Sequence, residues 1–470
     1  MTNNRNMLKA GVVYTFANIF LKSVSIITAP IFTRLLTTSD YGVVNNFISW
    51  QNIVFIITGL CLSYSIGNAK IDFKDDFDGY ISSIQILSTM VATIFLVIAI
   101  VCRVTLADFM ELDESLVISL FVYLIFYPSI EYEQTRLRFA YRYKENVFMA
   151  MYITLGSVFL SLVLIIFSSM EAYMARILGT IIPSFAIAFI CWGYIFYKGS
   201  FASLTKYWKY ALKISLPMIP HSLAMIVLGQ IDRIMIVKYI GNAEAGIYSF
   251  GYSYGVIGAV VINAVGQAWQ PWLYEKISLR DFFDIREKNN VLNYFIAGCV
   301  IIFVFLAPEV LMLLSAEPFW EAKWVVAPVA IGTYYQYLYN NFSQIELFMK
   351  KTVWIAMGSL AAAGMNYYLN LLMLPIYGYQ IAAVTTLIGY GVLAVYHGFF
   401  SYMALGNFVY DIKNIVINIL LVTGLGICAM LLYDEFLLRY FILFGLLILI
   451  ISKANKIRNT YISLKRMERN

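Results

Sequence analysis

The chain has 470 residues, of which 61% are hydrophobic and 13% charged, with a formal net charge of +6. An ordinary soluble domain is roughly 45–50% apolar and about 25% charged, so the composition excludes a soluble globule and marks an integral membrane protein. The surplus positive charge lies at the ends of apolar runs, a mark of membrane topology rather than of a nucleic-acid surface.

Apolar runs long enough to cross a hydrocarbon core of about 30 Å as helices recur along the whole chain. Fourteen spans are expected, near residues 10–31, 43–66, 80–102, 115–134, 147–168, 174–197, 214–237, 246–272, 289–314, 325–349, 352–374, 380–403, 414–433 and 437–452. The first is not a cleavable leader, because it lacks a small-residue cleavage site and many spans follow it. With the N-terminus inside, 25 of the 33 Lys and Arg fall on the cytoplasmic side. The other eight are Lys22, Arg34, Arg103, Arg176, Arg233, Lys238, Lys323 and Arg439. Cationic loops resist translocation, so this bias supports both the span count and cytoplasmic termini. No loop is long enough for a separate soluble domain, and "SLTKYWKYALKI" reads either as a surface helix between halves or as a plain loop.

The first span leads into "TRLLTTSDYG" at 33–42, and the seventh into "VKYIGNAEAG" at 237–246. Arg34, Asp40 and Gly42 match Lys238, Glu244 and Gly246 at a constant offset of 204 residues. Glycine gives a turn its backbone freedom, and an acid near a helix start complements the helix dipole. Six spans separate the copies, so both enter the membrane in the same direction. The expected fold is therefore all-α: two six-helix lobes related by a pseudo-twofold axis along the membrane normal, plus two C-terminal helices. The expected boundaries are 1–197, a linker at 198–213, a second lobe at 214–403 and the extra helices with a basic tail at 404–470.

The stretches "RLLTTSDYG" and "DRIMIVKYIGNAEAGIYSFGYSYG" resemble the polysaccharide flippase family, the O-antigen and capsule exporters of a superfamily that also holds multidrug exporters and the lipid II flippase. The resemblance covers nearly the whole chain through span number, basic-loop placement and two-lobe organisation. It implies a two-lobed bundle, alternating between inward-open and outward-open states, that carries an undecaprenyl-pyrophosphate-linked oligosaccharide across the bacterial inner membrane. It implies membrane lipids and other polysaccharide-assembly membrane proteins as partners, and no cofactor. The acid that multidrug exporters of the superfamily often carry on the first span is absent, and Lys22 holds the polar face instead.

Such a head group needs cations, hydrogen-bonding groups and aromatic platforms inside the bundle. Tyr14, Asn18, Lys22 and Ser25 share one face of the first span. A mid-span charge costs roughly 2.5–3.5 kcal/mol, so Lys22 is expected either to face a cavity and meet pyrophosphate, or to snorkel or ion-pair. On the seventh span, Pro217 and Pro220 are expected to kink the helix, and His221 and Asp232 to share a face. Asp232 and Arg233 either pair, or bind the head group through Arg233 and couple an ion through Asp232. On the tenth span, Tyr334, Tyr337, Asn341 and Gln344 follow helical spacing and read as a water-filled lining, with Glu346 as a second ion-coupling candidate. Asn263, Gln267, Asn366, Tyr367, Tyr368 and Asn370 add weaker signals of the same kind, and Arg34 is a candidate for the outer mouth. Gly251 and Gly255 form a GxxxG, read as a close helix contact.

A membrane enzyme is the rival class, but no acid/base or metal-spaced constellation and no phosphate-binding GxxxxGK[ST] loop occurs. His221 and His397 are the only histidines, and the five cysteines are dispersed packing residues. A cation-coupled drug antiporter of the same fold is the nearer alternative.

Overall fold

The computed structural model describes residues 20–21, 24, 26–140, 142–199 and 203–448, apart from the side chains of 261, 263, 264, 267, 268 and 271. Tyr14, Asn18, Lys22 and Ser25, and the side chains of Asn263 and Gln267, lie outside the described residues. Among the described residues every regular element is a helix. Among the described residues eight helices are individually long and apolar enough to cross a membrane, and a ninth span results if a pair bent by 51° counts as one.

By contact the chain forms two compact units: Met1–Phe250 with Leu314–Phe319 and Ala356–Thr385, and Gly251–Leu313 with Trp320–Ile355 and Thr386–Asn470. The first unit begins with α1 (Ile26–Leu35) and α2 (Thr38–Gly59). The chain bends after α2, where Leu60 and Cys61 take positive φ, and continues into α3 (Ile66–Asp72). Then follow α4 (Phe77–Val101), α5 (Arg103–Met110), α6 (Glu114–Phe126), α7 (Pro128–Phe139), α8 (Tyr143–Phe167) and α9 (Ala172–Lys198). Phe47, Leu116, Leu120, Leu124 and Ile177 form one buried cluster from α2, α6 and α9. A second gathers Leu62, Ile66, Tyr80, Ile84 and Tyr132. Small and polar residues bring the helices together. Ser82, Gln85 and Ser129 hydrogen-bond to carbonyls of α9, and Gly179 of α9 lies directly against Ser161 of α8.

The linker reads as a helix, α10 (Leu204–Ser215). It is docked, not loose: Tyr207 and Tyr210 donate to Asp76 and Asp72 at 2.7 and 2.6 Å, and the Trp208 indole donates to the Ser83 carbonyl. The prolines expected to kink the seventh span instead start it. In α11 (Met218–Tyr239) Pro217 is the N-cap and Pro220 lies in the first turn, where a missing N–H costs nothing. The eighth expected span is not continuous. It is divided between α12 (Asn242–Gly255) and α13 (Gly258–Ser278).

The offset of 204 reappears as geometry. One helix ends at Leu35 and the next starts at Thr38; the second copy ends at Tyr239 and restarts at Asn242. Thr37 and Asp40 form a capping box, the Thr37 hydroxyl accepting from the Asp40 N–H and the Asp40 carboxylate from the Thr37 N–H. Gly241, at the position of Thr37, has φ +148°, backbone that favours glycine. Gly42 abuts the Asn242 carbonyl, and Gly246 abuts the Thr38 carbonyl. Each glycine thus meets the first residue of the other copy's helix, a reciprocal contact of the kind a twofold axis generates. Tyr41 packs edge-on against Phe250 and Phe319 beside this crossing.

The second unit holds α13, α14 (Phe282–Phe305), α15 (Ala307–Leu314), α16 (Lys323–Phe348), α19 (Ile412–Leu431) and α20 (Phe436–Ile448), with parts of α17 (Thr352–Tyr377) and α18 (Ile381–Leu405). The GxxxG works as expected. Gly251 and Gly255 lie against Ala322, Val325 and Val329, leaving no room for a Cβ. Arg439 of α20 is buried, donates to the Phe305 carbonyl at 2.8 Å and pairs with Glu309.

Candidate functional site

In the first unit polar residues of neighbouring helices converge on one buried carboxylate of α11. Asp232 accepts from the Tyr248 hydroxyl at 2.5 Å and from the Asn370 amide at 2.6 Å. Thr385 donates to the Asn370 carbonyl oxygen at 2.5 Å, and Asn366 lies 3.4 Å from the Thr385 hydroxyl. All are buried, so four helices, α11, α12, α17 and α18, surround a carboxylate with amide and hydroxyl groups, an amide N–H and a phenol O–H donating to it. Arg233, also buried, donates to the Gly229 carbonyl and to Gln230, and Gln230 accepts from Ser49 of α2. His221 sits half-buried near the start of the same helix. Arg34 and its counterpart Lys238 are exposed at the two matching helix ends.

The same unit carries two adjoining clefts. One, of about 610 Å³, is lined by Ser63, Tyr64, Glu131, Thr135 and Arg138. The other, of about 480 Å³, is lined by Lys70, Lys74, Asp75, Asp76, Arg136 and Lys198. Arg136 is committed, donating to Glu133, Asp78 and Tyr194. Arg136 pairs with Glu133 at 2.8 Å, whereas Glu131 accepts from Ser63 at 2.8 Å. Beside the second cleft, burial and the Asp76 and Asp72 partners push the Tyr207 and Tyr210 hydroxyls up to about 12.

In the second unit the expectation of a water-filled lining on the tenth span needs correction. Tyr334, Tyr337 and Asn341 are buried and face α14: Tyr334 donates to Asn293 at 2.7 Å, while Tyr337 and Asn341 share Asn289. The seam continues from Asn293 to Asn414 and Asn418 of α19. These polar side chains satisfy one another across neighbouring helices and so bind α14, α16 and α19. Gln344 is half-buried and accepts from Tyr274. Glu346 is fully buried against His397. Tyr367 and Tyr368 are exposed, whereas Asn366 and Asn370 on the same helix point into the Asp232 cluster. In the last turn of α13, Lys276 bridges Asp281 and Asp284, holding both carboxyls below the usual range.

Tyr248, Thr385 and the pairing of His397 with Glu346 were not legible in the sequence. Asn370 is 138 residues from Asp232, so no local spacing pairs them.

Helical count, apolarity and these buried polar clusters define a multi-span helical membrane protein. The family described as polysaccharide biosynthesis protein matches residues 7–276, more than half of the chain, and the protein belongs to that family. It is 20% identical over 341 residues to Lsg locus putative protein 1 of Haemophilus influenzae, covering 71% of this chain and 80% of the relative. Its fold is similar to that of the lipid II flippase MurJ in an inward-closed conformation, with a TM-score of 0.69 and 12% identity, covering 93% of this chain and 100% of the other. It is also similar to an inward-facing multidrug resistance MATE family transporter of the MOP superfamily, at 0.60 and 16% identity, covering 82% and 94%.

Proposed function

We propose that the protein is a flippase that moves an undecaprenyl-pyrophosphate-linked oligosaccharide repeat unit from the cytoplasmic to the outer leaflet of the bacterial inner membrane. Family membership and the fold support transport in polysaccharide biosynthesis rather than catalysis. The observation that carries the mechanism is the reciprocal crossing, Gly42 on Asn242 and Gly246 on Thr38. Two matching helix ends that meet through backbone alone make a pivot, and a pivot between six-helix lobes at 1–197 and 214–403 serves alternating access. With both termini cytoplasmic, the clefts around Arg138 and Lys70 offer cations to a pyrophosphate approaching from inside, Lys22 and Arg233 receive it within the bundle, and Asp232 couples an ion.

The test is translocation of a fluorescent undecaprenyl-pyrophosphate oligosaccharide in liposomes holding the purified chain. Protein-dependent movement supports the reading, and the Lys22→Ala/Arg233→Ala double variant is expected to lose it while remaining in the membrane. The likeness to a MATE transporter favours a second reading, a cation-coupled small-molecule antiporter. Absence of lipid movement together with export of a cationic dye selects it.

A further inference from the structure

The cleft of about 610 Å³ in the first unit carries a carboxylate that phosphate binding leaves without a task. Glu114–Phe139 reads as one membrane span, and Glu131 stands within it. An acid inside a span is costly unless it is ion-paired or lines a water-filled cavity. Among the described residues Glu131 makes no salt bridge: its Oε1 accepts from the Ser63 hydroxyl at 2.8 Å, and the carboxylate lines the cleft.

Two elements place the groups around it. α2 ends in the bend where Leu60 and Cys61 take positive φ, and a single 3-10 turn, Leu62–Ser65, follows. Leu62 and Ile66 are buried in the core, which turns Ser63 and Tyr64 outward to the cleft, the Tyr64 ring being 52% exposed. On α7, Glu131, Thr135 and Arg138 fall at i, i+4 and i+7 and share one face. Arg138 is exposed and donates to the Thr135 hydroxyl rather than to Glu131. Phe139, also exposed, lies directly against Gly67, where a Cβ would stand 2.7 Å from its ring.

Three kinds of group therefore meet in one cleft: a cation, aromatic faces, and a carboxylate flanked by hydroxyls. A pyranose has a C–H face that packs on an aromatic ring, and neighbouring hydroxyls that one carboxylate accepts as a pair. The phosphate that carries such a sugar is the anion an arginine meets. A cleft that only gathered phosphate would be weakened by Glu131, because like charges repel.

We propose that this cleft reads the sugar next to the pyrophosphate, Glu131 and Tyr64 holding the ring while Arg138 meets the phosphate, and that it takes a neutral, hydroxyl-rich pyranose and rejects a hexuronic acid. The inference rests on the flippase reading and names the chemical class of the substrate's phosphate-linked sugar. Selection works by repulsion as well as by fit. A uronic acid sets its own carboxylate against Glu131 in a half-buried site, whereas a hexose offers hydroxyl donors there.

Binding and movement are measured separately, with undecaprenyl pyrophosphate prepared bare, carrying glucose and carrying glucuronic acid. On the purified chain in nanodiscs, the glucose lipid is expected to bind about tenfold or more tightly than the glucuronate lipid, as like-charge opposition predicts. Glu131→Gln keeps an acceptor for Ser63, removes the charge, and is expected to bring the two lipids within about twofold of each other. Tyr64→Ala removes an exposed ring and should weaken the glucose lipid about three- to tenfold while leaving the bare lipid unchanged. Arg138→Gln should weaken all three lipids. Equal binding of both sugars to the natural chain, or a Tyr64→Ala loss as large on the bare lipid, overturns the proposal. In liposomes, movement of the sugar lipids with no preference in binding or rate refutes the sugar site and leaves the flippase reading standing. Selective binding that Glu131→Gln abolishes, with no lipid moved, upholds the sugar site and refutes the flippase reading. Failure to bind any of the three refutes both.

Discussion

Replacing Gly246 by Ala puts a methyl group into the crossing of α12 with the start of α2. The added Cβ would stand 2.9 Å from the Thr38 carbonyl carbon, 3.0 Å from the Gly42 nitrogen and closer still to the Thr38 oxygen, against 3.4–4 Å for ordinary contact. All three obstacles are backbone, so no side chain can swing away, and the helices must part by more than about 0.5 Å or bend. Overpacking of this kind costs typically about 1–3 kcal/mol. Unfolding in mixed detergent and SDS micelles measures it, and Gly364→Ala is the control, because a Cβ there meets nothing within 4 Å. The control exchanges glycine for the best helix former and is expected to hold stability or raise it by up to about 1 kcal/mol. Gly42→Ala, which meets the Asn242 backbone, should match Gly246→Ala. Equal stability of Gly246→Ala and Gly364→Ala would refute the crossing as a steric pivot.

Asp232→Ala removes the acceptor that the Tyr248 hydroxyl and the Asn370 amide share and should cost about 1–3 kcal/mol in the same assay, while Asp232→Asn, which keeps an acceptor, should cost less. Arg439→Ala removes the partner of Glu309 and a donor to the Phe305 carbonyl. Because the Glu309 side chain is 32% exposed, the loss should fall below the roughly 3–5 kcal/mol of a fully buried pair, and a loss above that range would contradict the geometry. The raised Tyr207 and Tyr210 hydroxyls stabilise the folded chain fully below their ordinary value of 10, and that contribution fades as pH rises towards about 12. The Tyr207→Phe/Tyr210→Phe chain should therefore lose less stability than the natural one between those limits, followed as the unfolding midpoint.

Composition and the apolar period were enough to establish an all-helical membrane protein, because a backbone in lipid must satisfy its own hydrogen bonds. The motif offset of 204 residues also carried information, since Gly42 and Gly246 are local necessities of a helix start and a close crossing, and both leave a mark in the sequence. Gly251 and Gly255 were legible for the same reason. What the sequence could not determine is who faces whom. Tyr334, Tyr337 and Asn341 have a spacing that fits a wet lining and a buried seam equally well, and only the arrival of Asn289 and Asn293 on α14 decides for the seam. Asp232 needed Asn370 from 138 residues away, and Glu346 needed His397 from 51. Helical periodicity reports which residues share a face, and it is silent on the neighbouring face, because inter-helix partners are set by packing among segments far apart in the chain.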